Sequence, residues 1–271
     1  MTQIKLSGIY IYPIKSAAGI SLKTAPVENR GFQYDRRWML VDETGTFLTQ
    51  RQFPQMALIT VRLDGGKLVV EALNRETLSI PVHLDSCDRI PVQVWNDICD
   101  AIPLGEEVSQ WFSEFLELSC QLVYMPDNSY RPVNSRYASH NQQVSFADGF
   151  PFLMISEASL QDLNERLDQP IPMNRFRPNL VVSGCEAFAE DSWRSIHIGS
   201  IPFRVVKPCE RCLITTVDQA QGIRGKEPLQ TLAQYRLSNG KILFGQNLIP
   251  AELGTLQVGD SVEICQSTSF L

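Results

Sequence analysis

Two cysteines lie three positions apart in the segment VVKPCERCLITTVD, residues 205–218, and positive charge flanks them. Cys209 and Cys212 have Lys207 and Arg211 as neighbours, and nearby cations stabilise the reactive thiolate form of cysteine. Four interpretations fit this spacing: a redox dithiol, half of a zinc site, a single thiolate ligand for another metal, or two sulfur atoms packed in a strand.

The remaining sequence gives little support to zinc or to a thioredoxin-like dithiol. A zinc site usually has four ligands, yet there is no second Cys-x-x-Cys, and His83, His140 and His197 are far apart in sequence. A redox dithiol normally begins a helix, whereas a β-branched run follows Cys212. The single thiolate ligand and the packed strand stay open. A single ligand would require a cofactor to supply the other bonds to the metal.

A basic group of residues lies near the N-terminus. The segment YIYPIKS ends with Lys15 and Ser16, and Arg36 and Arg51 follow within the next 40 positions. Cationic and hydroxyl side chains suit phosphate oxygens. Each of these residues taken alone is more typical of a solvated strand end.

Further polar residues occur in the second half of the chain. NRFRPNLVVSG contains Arg177 and the amide of Asn179, and Ser156 begins a helix-like segment whose amides could face an anion. A turn before a strand and a helix cap are the simpler interpretations of these two segments.

The elements that must position these residues are mostly strands. The runs are short and separated by turn signals such as Asp64-Gly65-Gly66, with a bulge predicted at Gly8. Periodic apolar residues predict helices in EEVSQWFSEFLEL and SEASLQDLNERL, and 126–151 reads as a long polar loop. The sequence therefore predicts a mainly β protein with peripheral helices.

Composition limits the class of protein. The chain has 271 residues, 44% of them hydrophobic, and a net charge of −6, which suits one large or two smaller globular domains and disfavours a general nucleic-acid binder. No apolar run reaches the roughly 18–20 residues of a membrane span. The N-terminus lacks the pattern of a signal peptide. We therefore expect a cytoplasmic protein whose seven cysteines are thiols.

The segments YIYPIKS, YDRRWMLVD, SEASLQDLNERL, RFRPNLVVSG, VVKPCERCLITTVD and FGQNL, in this order, resemble those of MOSC-domain proteins. The resemblance is to bacterial reductases of N-hydroxylated bases and to the mitochondrial amidoxime-reducing component, and it spans nearly the whole chain. It implies an N-terminal β-barrel domain, residues 1–122, and a MOSC β-barrel domain, residues 123–271.

The resemblance also implies a molybdenum–molybdopterin cofactor. Molybdenum would be held by the cofactor's dithiolene sulfurs and by the thiolate of Cys212, the catalytic residue, with Cys209 as a neighbour. The positions expected to contact the cofactor's phosphate and pterin are Lys15, Ser16, Arg36, Arg51, Ser156, Arg177, Asn179 and Arg211.

The implied reaction is the two-electron reduction of an N–O bond in hydroxylamines, amidoximes or N-hydroxylated bases, which yields an amine or amidine and water. Asp218 and His140 are candidate proton donors on chemical grounds. The chain ends without the clustered cysteines of a ferredoxin domain. We therefore expect a separate electron donor, a flavodoxin or ferredoxin with its reductase, and neither a membrane nor a nucleic-acid polymer as partner. The alternative is a carrier of the molybdenum cofactor or its sulfur, without turnover.

Overall fold

The computed structural model describes residues 3–84, 86–138 and 142–268. The strands, in chain order, are β1 (Lys5–Ile11), β2 (Ile20–Leu22), β3 (Thr24–Glu28), β4 (Gly31–Phe32), β5 (Trp38–Val41), β6 (Thr60–Asp64), β7 (Lys67–Glu71), β8 (Leu78–Pro81), β9 (Ile90–Val94), β10 (Asp97–Pro103), β11 (Gln121–Tyr124), β12 (Phe152–Ser156), β13 (Leu180–Ser183), β14 (Trp193–Ile198), β15 (Ile201–Glu210), β16 (Leu237–Ser238), β17 (Lys241–Pro250), β18 (Gly254–Gln257) and β19 (Val262–Ser267). The helices of the described residues are α1 (Glu106–Leu116), α2 (Glu157–Asn164) and α3 (Leu229–Tyr235), and short 3-10 turns cover Pro54–Leu58, Met173–Arg175, Ala189–Asp191 and Leu213–Thr216. The prediction of a mainly β fold with peripheral helices is confirmed.

The largest sheet has nine strands, ordered β19-β14-β15-β17-β12-β13-β1-β2, with β16 paired to β17. Its pairs are antiparallel except for β12 with β13. Smaller sheets have the orders β5-β11-β10-β9, β18-β3-β4 and β6-β7-β8. Because β1 pairs with β13, the largest sheet contains strands from both sides of the predicted boundary at 122. The division into two domains at that position stays a prediction.

Several local predictions are confirmed. Gly65 and Gly66 form the β6–β7 turn with φ of 54° and 78°, the positive values that two-residue hairpins require. The register of β1 shifts at Gly8 as a bulge would make it. Both predicted helices are present as α1 and α2.

The segment after Cys212 differs from its prediction. The β-branched run LITT forms a 3-10 turn, Leu213–Thr216, instead of a strand. The hydroxyls of Thr215 and Thr216 donate to the carbonyls of Cys212 and Leu213, at 3.0 and 2.8 Å. Such side-chain bonds to nearby backbone favour turns over sheet, and they outweigh the β propensity here.

Two apolar clusters support the sheets. One packs Phe152, Trp193 and Phe203 on the nine-stranded sheet, and the other surrounds Trp38 and Phe112. The loop of residues 126–151 is anchored where Val133, Val144 and Ala147 pack against Ile249. This anchoring places residues 147–150 beside the end of β15. The longest helix described, α1, has 11 residues, and none of the helices in the described ranges is long and apolar enough to span a bilayer.

Candidate functional site

A cleft of about 820 Å³, which includes its open mouth, lies where the first strands, the 126–151 loop and the end of β15 meet. Seven of the predicted site residues line it: Lys15, Ser16, Arg36, Arg177, Asn179, Arg211 and Cys212. Folding therefore brings together side chains that are up to about 200 positions apart in sequence.

Cys212 lies half-buried in the cleft wall, between the end of β15 and the following 3-10 turn. The amide of Arg211 donates to the carbonyl of Ile242 at 2.8 Å, and Thr215 donates both its amide and its hydroxyl to the carbonyl of Cys212. The backbone on each side of Cys212 is thus fixed. The thiol stands on a rigid segment that faces an open space.

Cys209 lines the same cleft and is also half-buried. Burial raises the pKa of the Cys209 thiol above its ordinary value, and the charge of Arg211 only partly opposes this. All seven cysteines are free. Within the described residues, no three His, Cys, Asp or Glu side chains are close enough to hold a metal ion together. The described part of the chain therefore gives no support to the zinc interpretation.

Lys15 is a buried cation, 5% exposed, at the floor of the cleft. Its ammonium donates to the carbonyl of Phe146 at 2.8 Å and to Asp148 at 2.6 Å. Burial lowers the pKa of Lys15 to about 8, although the adjacent Asp148 carboxylate favours the charged form. The cleft therefore holds an ammonium that is charged at neutral pH but costly to keep charged.

Asp148 connects this lysine to the rim. Its carboxylate accepts from the indole of Trp95 at 3.2 Å and lies 3.7 Å from the guanidinium of Arg51. Desolvation works against ionisation, but Lys15 and Arg51 outweigh it and hold the pKa of Asp148 well below its ordinary value. Arg51 itself does not line the cleft; its guanidinium lies over the Trp95 ring, 4.5 Å from the centroid.

Arg36 and Arg177 are held against the ring of Tyr12, with guanidinium carbons 4.3 and 4.2 Å from its centroid. Arg36 also donates to both oxygens of the buried Asp35, at 2.8 and 2.6 Å. Arg177 donates to the carbonyl of Ala17 at 2.7 Å. Burial lowers the pKa of Arg177 to about 10, a value at which it is still protonated at neutral pH. The two cations are therefore pre-positioned on one aromatic ring.

Three cleft residues have backbone in the left-handed region, which non-glycine residues rarely adopt. Ser16, Arg36 and Arg177 have φ of 70°, 49° and 55°. Each such residue costs on the order of 1 kcal/mol or more, and such outliers cluster at functional sites. Their concentration here, on side chains of ligand-binding type, supports a binding role for this wall.

Two arginines of the cleft wall have donors that no acceptor satisfies. Nε and Nη1 of Arg175 and Nη2 of Arg211 are buried and lack a hydrogen bond within the described residues. Leaving a buried donor unpaired costs about 1–3 kcal/mol, and more for a charged group. Arg175 was not among the predicted site residues. Its sequence signal, a second arginine in NRFRPN, does not distinguish it from a solvated cation.

Other predicted residues have structural partners. Ser156 is buried away from the cleft lining, caps α2 through its bond to the Ser159 amide at 3.0 Å, and donates its own amide to Glu190. Ser156 therefore caps a helix, which was the simpler interpretation of the sequence. The prediction that Ser156 contacts a cofactor finds no geometric support. Asn179 lines the cleft, but its side-chain amide bonds the backbone of Tyr10 and Leu153.

Of the two candidate proton donors, Asp218 lies within the described residues. Asp218 does not line the cleft, and one of its oxygens accepts from the amides of Ala220 and Gln221. The other oxygen lies 3.3 Å from Nη1 of Arg175. His140 lies outside the described residues. Neither residue is thereby tested as a donor.

The charge of the cleft is locally inverted relative to the acidic chain. Five cationic side chains and two carboxylates line it, whereas the whole chain has a net charge of −6. A half-buried thiol and a cationic surplus together fit an anionic, phosphate-bearing cofactor whose metal takes a thiolate ligand. The residues present therefore satisfy the chemistry of a molybdopterin-type group.

Known proteins match along nearly the whole chain. Residues 3–119 match the MOSC N-terminal beta barrel domain, and residues 141–263 match the MOSC domain. Mitochondrial amidoxime-reducing component 1 of Mus musculus is 38% identical over 94% of this chain and 80% of its own, and component 2 of Rattus norvegicus is 37% identical over 95% and 82%. Molybdenum cofactor sulfurase of Oryza sativa subsp. japonica is 34% identical over 97% of this chain, but over 36% of its own length. The chain therefore belongs to the MOSC-domain family that also contains the mitochondrial amidoxime-reducing components.

Proposed function

We propose that this protein is a molybdenum-cofactor-dependent reductase of N-hydroxylated compounds. The observation that carries the proposal is the half-buried thiol of Cys212 on the wall of an open, cationic cleft. The relatives named amidoxime-reducing components match over most of their own length and supply the reaction class. The substrates are hydroxylamines, amidoximes or N-hydroxylated bases.

Different cleft residues bind different parts of the cofactor. The thiolate of Cys212 is the protein ligand of molybdenum, and Lys15, Ser16, Arg36 and Arg177 bind the phosphate and pterin. When bound, the cofactor supplies two-electron redox chemistry, and the protein holds and tunes it. The cations are already fixed by Asp148, Asp35 and the Tyr12 ring, so little side-chain ordering is needed when the anion binds.

The overall reaction is balanced by two electrons and two protons. The N–O bond breaks, one proton forms the new N–H bond of the amine or amidine, and the other proton leaves with the hydroxyl group as water. The electrons come from a separate donor protein of the flavodoxin or ferredoxin type with its reductase. The proposed location of the protein is the cytoplasm.

A second candidate is a carrier of the molybdenum cofactor or of its sulfur. The similarity to part of a molybdenum cofactor sulfurase favours it, since the matched part is about a third of that protein. A carrier would bind the cofactor in the same cleft without reducing a substrate.

The test is turnover of a panel of N-hydroxylated compounds with an artificial electron donor. Protein from a host that makes molybdopterin is compared with Cys212→Ala and with Cys209→Ala as the matched control. A reductase shows turnover in the wild type, loses it with Cys212→Ala and keeps most of it with Cys209→Ala. Bound molybdenum without turnover of any substrate would instead favour the carrier, and equal dependence on both cysteines without molybdenum would favour a redox dithiol.

A further inference from the structure

Arg175 has two hydrogen-bond donors that the fold buries and leaves without a partner. Its side chain is 8% exposed, and neither Nε nor Nη1 has an acceptor in the described part of the chain. Asp218 lies 3.3 Å from Nη1 and forms an ion pair without hydrogen-bond geometry. The guanidinium is therefore held in the cleft wall with unused hydrogen-bonding capacity.

Arg175 belongs to a turn that packs against the segment holding the thiol. It ends the turn Met173–Arg175, which packs against the turn that starts directly after Cys212. Both side chains line the cleft. Arg175 and the thiol are therefore parts of the same cleft lining.

Arg211 adds a third unused donor at the same wall. Its Nε and Nη1 donate to the carbonyls of Phe244 and Phe176, at 2.8 and 3.2 Å, while Nη2 has no partner among the described residues. The two carbonyls fix the plane of the guanidinium. The free donor thus points in a direction that the fold has already set.

Arg175 differs from the cations that are proposed to bind the cofactor. Lys15, Arg36 and Arg177 all have acceptors within the protein, which fix them as a preformed anion site. Among the described residues, Arg175 has a charge partner but no hydrogen-bond acceptor. A molecule that enters the cleft is one source of such an acceptor.

We propose that Arg175 binds substrate, by donating hydrogen bonds to a carbonyl oxygen that lies next to the N–O group, with Nη2 of Arg211 in support. This inference rests on the proposed reductase function. Substrates with a carbonyl next to the N–O group, such as hydroxamic acids and N-hydroxylated cyclic bases, are therefore preferred over substrates with an amino group at the same position. A site built around buried donors discriminates against a ligand that leaves them unpaired.

The test uses two substrates that share a phenyl ring and an N–O bond, benzhydroxamic acid with its carbonyl and benzamidoxime with its amino group. Arg175→Met in the molybdenum-loaded enzyme is expected to lower kcat/KM for benzhydroxamic acid by about 10–100-fold, mostly through KM, and for benzamidoxime by less than about 3-fold. Arg175→Lys, which keeps the charge beside Asp218, is expected to recover part of the loss. It also provides the measurement if the methionine variant does not fold. Arg62→Met, on an exposed ion pair of the β6 strand, is the control and should change neither value.

Molybdenum content separates this inference from its alternatives. It should be unchanged in both Arg175 variants, because the arginine binds substrate and not cofactor. A fall in molybdenum content, or equal losses for the two substrates, would overturn the inference. If the molybdenum-loaded wild-type enzyme reduces neither compound nor any other N-hydroxylated substrate, the proposed function itself is overturned. That result differs from both a fall in molybdenum content and equal losses for the two substrates.

Discussion

Replacement of Lys15 by methionine is expected to stabilise the cofactor-free protein at neutral pH while it weakens cofactor binding. The lysine is buried and charged, and the structure retains it at a cost because the cleft must attract an anion. Methionine has a similar length and no charge, so it removes the desolvation cost and leaves little empty volume.

The magnitude follows from the pKa of the ammonium. A folded-state pKa of about 8 against an ordinary 10.5 corresponds to roughly 3 kcal/mol of destabilisation, at about 1.36 kcal/mol per pKa unit. The lost hydrogen bond to the Phe146 carbonyl offsets about 1 kcal/mol. The free energy of unfolding at pH 7 should therefore be about 2 kcal/mol larger for the methionine variant than for the wild type.

The pH dependence has a definite sign. The folded-state pKa of Lys15 is lowered, so the unfolded chain binds more protons between pH 8 and 10.5, and the stability of the wild type rises in that window. The advantage of the methionine variant should shrink by about 2 kcal/mol between pH 7 and pH 9.5. Below pH 8 the advantage should be constant.

Denaturant unfolding of protein from a host that makes no molybdopterin measures this difference, at pH 7 and at pH 9.5. Lys23→Met, at an exposed position, is the matched control and should change stability by less than about 0.5 kcal/mol. Molybdenum retained by protein from a host that makes the cofactor gives the second measurement, and it should fall for Lys15→Met alone. A Lys15→Met protein that is less stable than the wild type at pH 7 would refute the reasoning.

Three more predictions concern a helix cap and two residues that hold the cations of the cleft. Ser156→Ala should lower the free energy of unfolding by about 1 kcal/mol through loss of the α2 cap and leave molybdenum content unchanged; a loss of molybdenum without destabilisation would show a cofactor contact instead. Asp148→Asn removes the charge that raises the pKa of Lys15, so this pKa should fall below about 8. Molybdenum retained after dialysis between pH 6.5 and 8.5 should then decline at a lower pH than in the wild type. An unchanged pH profile would contradict the coupling between Asp148 and Lys15. Tyr12→Leu removes the ring on which two arginines rest and should reduce retained molybdenum, while Tyr12→Phe keeps the ring and should retain it; equal effects of both would show that the hydroxyl matters and not the ring.

The fold was largely predictable because its signals are local. Alternating apolar residues and glycine turns identify β6 and β7, and helical periodicity identifies α1. The helix α3 escaped prediction because it has only seven residues, fewer than the window in which helical periodicity can be recognised. The 3-10 turn after Cys212 escaped prediction because its β-branched residues favour a strand, and the threonine–backbone bonds that favour the turn are seen only in the folded chain.

The residue types of the site could be predicted from the sequence, but the hydrogen-bond and ion-pair partners of these residues could not. A cation such as Lys15 can be chosen from sequence, but its acceptor Asp148 is 133 positions away, and only folding shows that the pair is buried. Arg175 and Arg177 look alike in NRFRPN, although the second has an acceptor at Ala17, whereas Nε and Nη1 of the first have none among the residues that the structure describes. Ser156 shows the opposite case, a hydroxyl of suitable type that the fold uses to cap a helix.

The most direct test of the central claim is the number of sulfur ligands on molybdenum, measured by X-ray absorption spectroscopy. We propose Cys212 as the protein ligand, so Cys212→Ala should either lose the metal or hold it with one sulfur fewer than the wild type, and Cys209→Ala should match the wild type. Identical sulfur coordination in wild type and Cys212→Ala, or a missing sulfur in Cys209→Ala, would contradict the assignment.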